Sequence, residues 1–161
     1  MTTPTVSFEL ATTTAALAIA ELSRDVIETG LGWSWTAARV AREINDPESV
    51  VLIGRVRRVM VGFAIMSFGS EFSHLSLLAV RSGWQRKGVG RSLFEWLKAS
   101  ALTAGIAIIR VEMRAANRDA RLFYRALGFE ESGWVPGYYR GRETALRMQL
   151  NLRQTTLGFR S

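Results

Sequence analysis

The chain has 161 residues with 48% hydrophobic and 22% charged content, which fits one ordinary globular domain with a sizeable core. It has no cysteine and one histidine, His74, which excludes disulfides, thiolate metal sites, a cysteine nucleophile and a multi-histidine metal centre. The formal charge of +7 favours anionic partners, whether a polyphosphate or a nucleic acid. No apolar run is long enough to cross a bilayer and the start does not read as a signal peptide, so a cytoplasmic protein is expected.

Val6 to Leu10 reads as a short first strand. Capping hydroxyls at Thr12 to Thr14 and an Ala/Leu/Ile-rich stretch predict a helix to Thr29, ended by Gly30. Trp33 and Trp35 fall in a loop before Thr36, the cap of a second helix that runs to about Ile44, and Asn45-Asp46-Pro47 is a turn. Val50–Val56, Val59–Phe68 and Phe72–Val80 are strand-like runs with short connections, the pattern of an antiparallel meander. Helical spacing then takes over from Gly88 to about Thr103. A strand at Ile106–Met113, a helix at Arg118–Leu127 with Gly128 as its left-handed cap, a strand opening at Phe129 and a last strand at Thr144–Leu150 complete the series. A meander followed by β-α-β-α-β predicts a mixed α/β sheet in a single domain over residues 1–154, with 155–161 as a tail.

The richest segment is Leu77-Leu-Ala-Val-Arg-Ser-Gly-Trp-Gln-Arg-Lys-Gly-Val-Gly90-Arg. A strand ends near Val80, a polar glycine turn follows, and a helix opens at about Gly88. The first turn of a helix has free N–H groups and a partial positive charge. Gly88 and Gly90 lack a Cβ, so an anion approaches those N–H groups closely, and Arg86, Lys87 and Arg91 add charge. This is a cradle for a pyrophosphate. A Walker A loop is excluded because Val89 stands where lysine belongs. A dinucleotide fingerprint is excluded because Leu93 occupies its small third position.

The run Gln85-Arg-Lys-Gly-Val-Gly90 resembles the Q/R-x-x-G-x-G/A signature of GNAT acetyltransferases, and the stretch from Glu112 to Phe129 resembles that family's second pattern, E-x-R-x-x-N-x-x-A-x-x-x-Y-x-x-x-G-F. The resemblance runs from about His74 to Phe129. It implies the acyl-CoA N-acyltransferase fold, acetyl-CoA as co-substrate, no metal, and transfer of acetyl to an amine. By the same resemblance Arg86, Lys87, Gly88, Val89, Gly90 and Arg91 hold the pyrophosphate. The backbone of Leu78, Ala79 and Val80 pairs with the pantetheine arm, and one of its N–H groups is an oxyanion donor. Asn117 bonds that arm as well as capping its helix. Tyr124 is the general acid beside the sulfur; the competing reading packs it in the core beside Phe123.

The general base stays open at this level. Alternation puts Glu112 on the face opposite Val111 and Met113, and resemblance to RimI-type N-terminal acetyltransferases makes it the leading candidate. A salt bridge to Arg110 or Arg114 is its structural alternative, and Glu71 and His74 are other possible bases. The stretch from Val135 to Met148, with Tyr138-Tyr139 before Gly-Arg-Glu, also resembles the RimI type. That resemblance implies a peptide entrance lined by Tyr138 and Tyr139, with Trp33 and Trp35 as further acceptor-binding residues. The acceptor is then a primary amine, leaning to a protein N-terminus, with a small-molecule amine as the alternative. An acetyl-CoA sensor and a basic nucleic-acid-binding domain are competing classes. The second lacks any helix-turn-helix, zinc-finger or RNP signature. A homodimer is compatible with the fold.

Overall fold

A computed structural model describes residues 5–30 and 32–153. The expected tail at 155–161 lies outside the described residues. The strands are β1 (Ser7–Leu10), β2 (Ser49–Val56), β3 (Val59–Phe68), β4 (Phe72–Val80), β5 (Ile108–Arg114), β6 (Glu130–Tyr139) and β7 (Glu143–Asn151). The helices are α1 (Ala16–Val26), α2 (Ala37–Asn45), α3 (Val89–Thr103) and α4 (Arg118–Ala126), with a 3-10 turn at Thr13–Ala15 ahead of α1. One sheet has the order β1-β2-β3-β4-β5-β7-β6. This is the mixed α/β architecture that the element series predicts.

The chain groups into two compact units, Met1–Ser67 with Ser76–Lys98, and Phe68–Leu75 with Ala99–Ser161. In the first, β1 and β3 flank β2 in antiparallel registers, Phe8 opposite Gly54 and Leu52 opposite Ala64. Ile19, Ala20 and Leu22 of α1 and Val40 of α2 pack with Ile53, Phe63, Ile65 and Leu77 in one buried cluster. Full burial of a side chain such as Phe63, which has no exposed surface, contributes roughly 1.5–3 kcal/mol. Helix α2 starts where the sequence places its cap, since the Thr36 hydroxyl accepts the Arg39 N–H at 3.3 Å.

Two expectations for the first helix need correction. It ends at Val26, not Thr29. The N–H groups of Ile27 and Glu28 both bond the Ser23 carbonyl, which closes the last turn as Glu28 folds inward. At its start, Thr12 makes no side-chain cap bond, and its hydroxyl lies 2.7 Å from that of Thr14.

In the second unit, β5 is parallel to β4 over Phe72–Leu75 against Ile108–Val111, and antiparallel to β7 over its whole length. The last strand of the sequence thus lies inside the sheet, and β6 forms the edge. Ile109, Val111 and Met113 of β5 and Leu146, Met148 and Leu150 of β7 are buried. Gly128 follows α4 with φ 101°, the left-handed cap expected from sequence.

Helix α3 approaches β3 at Gly62. A Cβ there would sit 2.9 Å from the Ala79 carbonyl oxygen and 3.3 Å from side-chain carbons of Val89 and Leu93. The carbonyl is backbone and cannot give way cheaply. Gly62→Ala is expected to destabilise the fold by about 1–3 kcal/mol, read as a lower urea midpoint with an unchanged slope.

Candidate active site

In the first unit the turn between β4 and α3 is built from backbone conformations that ordinary side chains avoid. Gly83 (φ 91°), Arg86 (φ 62°) and Gly88 (φ 84°) all lie in the left-handed region. Successive residues of changing hand turn backbone N–H groups toward a common concavity, the geometry that binds anions. The turn is fastened at its base. The Trp84 N–H bonds the Arg81 carbonyl at 2.9 Å, Gln85 Nε2 bonds the Val80 carbonyl at 2.9 Å, and Arg81 Nε bonds the Met60 carbonyl at 3.0 Å. Gly88 then accepts the Ser92 N–H at 3.0 Å as the helix begins. A Cβ on Gly88 would meet nothing within 4 Å, so glycine is needed there for its φ, and the space beside it is open. Arg86, Lys87 and Arg91 are exposed, while Val89 is buried and anchors the helix start. Lys87 Nζ lies 5.3 Å from the Trp84 ring centre. Arg86 is the one non-glycine of the three, and its strain of roughly 1–3 kcal/mol marks a turn held in place by its surroundings.

The same unit holds the tryptophan loop. Glu28, only 6% exposed, carries it: its carboxylate accepts from Ser23 Oγ (3.1 Å), Ser34 N (2.8 Å), Ser34 Oγ (2.6 Å) and Trp35 N (3.2 Å). Trp33 donates its indole N–H to the Ala20 carbonyl at 3.2 Å and lies 5.2 Å from Arg24. Trp35 is covered by Arg39 at 3.7 Å. Glu28 is a buried charge that sequence reading does not single out, because its partners are mostly backbone N–H groups.

In the second unit, Glu112 stands on β5 opposite Arg147 of β7. The sequence alternative of a salt bridge to Arg110 or Arg114 does not form. Arg110 lies over the Phe72 ring at 4.0 Å, and Arg114 Nε is 3.6 Å from Glu143. Directly opposed cross-strand side chains are closer than those two residues apart on one strand, so the strand partner wins. Glu112 Oε2 is 3.6 Å from Arg147 Nε, and Oε1 is 3.2 Å from His74 Nε2. Oε2 is buried and makes no hydrogen bond within the protein. The Arg147 guanidinium is half exposed, so water screens its pull on the carboxylate. Arg147 is a site residue that sequence reading missed; only the register of β7 reveals it. Glu71 is exposed, and its carbonyl accepts the Ala107 N–H at 2.8 Å.

Tyr124 is buried on α4 between Phe123 and Phe129, with ring centres at 5.0 and 5.3 Å. It therefore packs in the core, as its competing reading expects, and burial pushes its hydroxyl well above the usual phenol range. Asn117 Oδ1 accepts the Ala120 N–H at 3.0 Å and so caps α4. Tyr138 and Tyr139 meet edge to face at 4.9 Å near the end of β6. Burial raises both hydroxyls, Tyr139 to about 12, and the Glu112 carboxylate raises them further. The structure thus brings His74, Glu112, Arg147 and Tyr138 together in one unit, and the glycine turn and tryptophan loop in the other.

The first unit thus holds a strand, a left-handed glycine turn and a helix, an arrangement suited to an anion, and the second holds a strand with a buried carboxylate oxygen. The profile of the acetyltransferase (GNAT) domain family matches residues 20–152, and the chain belongs to that family. Among curated proteins it is similar to the [ribosomal protein bS18]-alanine N-acetyltransferase of Escherichia coli K12, 37% identical over 94 residues. That stretch covers 56% of this chain and 64% of the relative, a little under two thirds of the relative's length. The crystal structure of the Escherichia coli ribosomal-protein-S18-alanine N-acetyltransferase superposes with TM-score 0.80 at 27% identity, covering 92% of this chain and 94% of that one. Ard1 from Thermoplasma volcanium superposes with TM-score 0.79 at 22% identity over 91% and 97% of the two chains, a likeness of fold.

All three tyrosines of the chain have raised hydroxyls, so the native protein is expected to show almost no tyrosinate absorbance at pH 10, the ordinary midpoint. The unfolded chain ionises first. Stability is therefore full below pH 10 and falls as pH rises from 10 toward about 12, measured as a falling urea midpoint.

Proposed function

We propose that the chain is an acetyl-CoA-dependent N-acetyltransferase that moves acetyl directly onto a primary amine, with a protein or peptide N-terminus as acceptor. The observation that carries this reading is Glu112 Oε2, a buried carboxylate oxygen without a hydrogen bond in a family of acetyltransferases. The peptide acceptor is supported by the likeness to the Escherichia coli enzyme that acts on an alanine of a ribosomal protein. On this reading the chain acts in the cytoplasm.

The glycine turn fits the pyrophosphate of acetyl-CoA: its N–H groups converge, its glycine side is open, and three exposed cations surround it. Arg86, Lys87 and Arg91 offset phosphate charge, and the N–H groups of Gly88, Val89 and Gly90 meet phosphate oxygens. The β4–β5 ladder has its last rung at Leu75, and beyond it the backbone of Leu78, Ala79 and Val80 is offered to the pantetheine arm. One of those N–H groups holds the oxyanion of the tetrahedral intermediate. Asn117 bonds the same arm while its side chain caps α4.

Glu112 takes a proton from the acceptor ammonium, directly or through one water, and leaves a neutral amine able to attack the thioester. The tetrahedral adduct collapses as its carbon–sulfur bond breaks: Tyr124, buried in its phenol form, gives its proton to the departing thiolate, and the proton lost by the adduct nitrogen restores the phenol, leaving the amide and the free thiol. Trp33, Tyr138 and Tyr139 carry exposed or half-exposed aromatic surface suited to a peptide.

Acetyl-CoA and coenzyme A are expected to raise the unfolding temperature, and NAD to leave it unchanged. At 100 times Kd the stabilisation is about 2.7 kcal/mol. No shift at saturating acetyl-CoA would overturn the reading. With an alanine-initiated peptide, Glu112→Gln and Tyr124→Phe are each expected to lower kcat by roughly 100-fold while the Kd for acetyl-CoA stays within about 3-fold. Faster turnover of a polyamine than of any peptide would replace the peptide acceptor with a small amine.

A further inference from the structure

We propose that His74 sets the strength of Glu112 as a base. As neutral imidazole it steadies Oε1 and leaves Oε2 for the acceptor amine; as imidazolium it claims the carboxylate and turns the base down. The inference rests on the reading of Glu112 as the base and adds to it a positioning residue that confers pH control.

The geometry is specific. His74 Nε2 is buried and sits 3.2 Å from Glu112 Oε1. The contact is an ion-pair distance and not an aligned hydrogen bond. The rest of the imidazole faces water, with 42% of the side chain exposed, so solvent protons reach the ring without opening the fold. The two residues come from adjacent parallel strands, where His74 is in register with Arg110, two residues from Glu112 on the same face. Backbone pairing therefore fixes their spacing.

The other groups around Glu112 hold their charge through the neutral range. Arg147 of β7 and Arg110 and Arg114 of β5 are guanidiniums and stay protonated. Arg114 is engaged by the Glu143 carboxylate and Arg110 rests on Phe72. Tyr138 and Tyr139 of β6 have raised hydroxyls and remain neutral. An imidazole is the side chain whose ordinary charge change falls between pH 5 and 8, and this chain has one. In the reaction Glu112 gains the amine's proton as a carboxyl and releases it to water. A positive charge on His74 stabilises the carboxylate and opposes that first transfer.

The test compares kcat/KM for wild type, His74→Gln, His74→Ala and Glu112→Gln with acetyl-CoA and one alanine-initiated peptide, from pH 6 to 8.5. Glutamine keeps a donor and loses the titration, and the ratio of wild type to H74Q cancels the ionisation of the peptide amine. That ratio is expected to rise about 10-fold between pH 6 and pH 8. H74Q should fall within about 3-fold of wild type at pH 8, and H74A about 10-fold below it. A flat ratio alongside a slow E112Q would overturn the role of His74 and leave Glu112 as the base. An E112Q as fast as wild type would overturn both. A readout without turnover stands beside these. The single imidazole gives one Cε1–H signal by NMR, which should move between wild type and E112Q at pH 8. An unmoved signal would show that the pair does not form in solution.

Discussion

Helix α3 comes down onto β3 at the one point where the strand has no side chain. A Cβ at Gly62 would sit 3.3 Å from side-chain carbons of the helix residues Val89 and Leu93 and 2.9 Å from the Ala79 carbonyl of β4. That approach fixes where the amino end of α3 lies, and the glycine turn is built back from there. Arg86 tolerates a left-handed backbone because both flanks are fastened, by Gln85 and Arg81 on the strand side and by buried Val89 on the helix side. The conformation of the turn is thus a consequence of core packing.

The second unit solves a different problem, which is how to keep a carboxylate usable. A buried carboxylate surrounded by cations and donors becomes a permanent ion pair and a poor base. Here the register of β5 and β7 sets Arg147 opposite Glu112, but at 3.6 Å and half in water. Arg110 and Arg114 are drawn away by Phe72 and Glu143. The carboxylate keeps one oxygen without a hydrogen bond, and the group nearest its other oxygen is an imidazole. Glu28 is the opposite case. It is more deeply buried, and hydroxyl and backbone donors bond both of its oxygens, so it fastens the tryptophan loop.

Much of the fold was legible in the chain. Period-two and period-3.6 patterns located every strand and α-helix to within a few residues, since each rests on local alternation of apolar and polar side chains. Helix α1 was overrun by three residues because Ile27, Glu28 and Thr29 are compatible with a helix, and only the inward turn of Glu28 ends it. Thr36 and Asn117 were readable as caps because a cap bond spans three residues and depends on residue type alone. Tyr124 was named from its place in a family pattern, but that it is enclosed by Phe123 and Phe129 is a matter of packing.

By itself the sequence determined the element series, the glycine pattern of the Gln85–Gly90 turn and the family, all of which depend on contacts between near neighbours along the chain. Tertiary structure decided the rest. Placing β7 between β5 and β6 made Arg147 the partner of Glu112, and pairing β4 with β5 brought His74 to the same carboxylate. His74 and Glu112 are 38 positions apart, and Arg147 is 35 positions further on. No local pattern links residues so separated. Their meeting is fixed by strand order and register, which follow from how the whole sheet buries its apolar face.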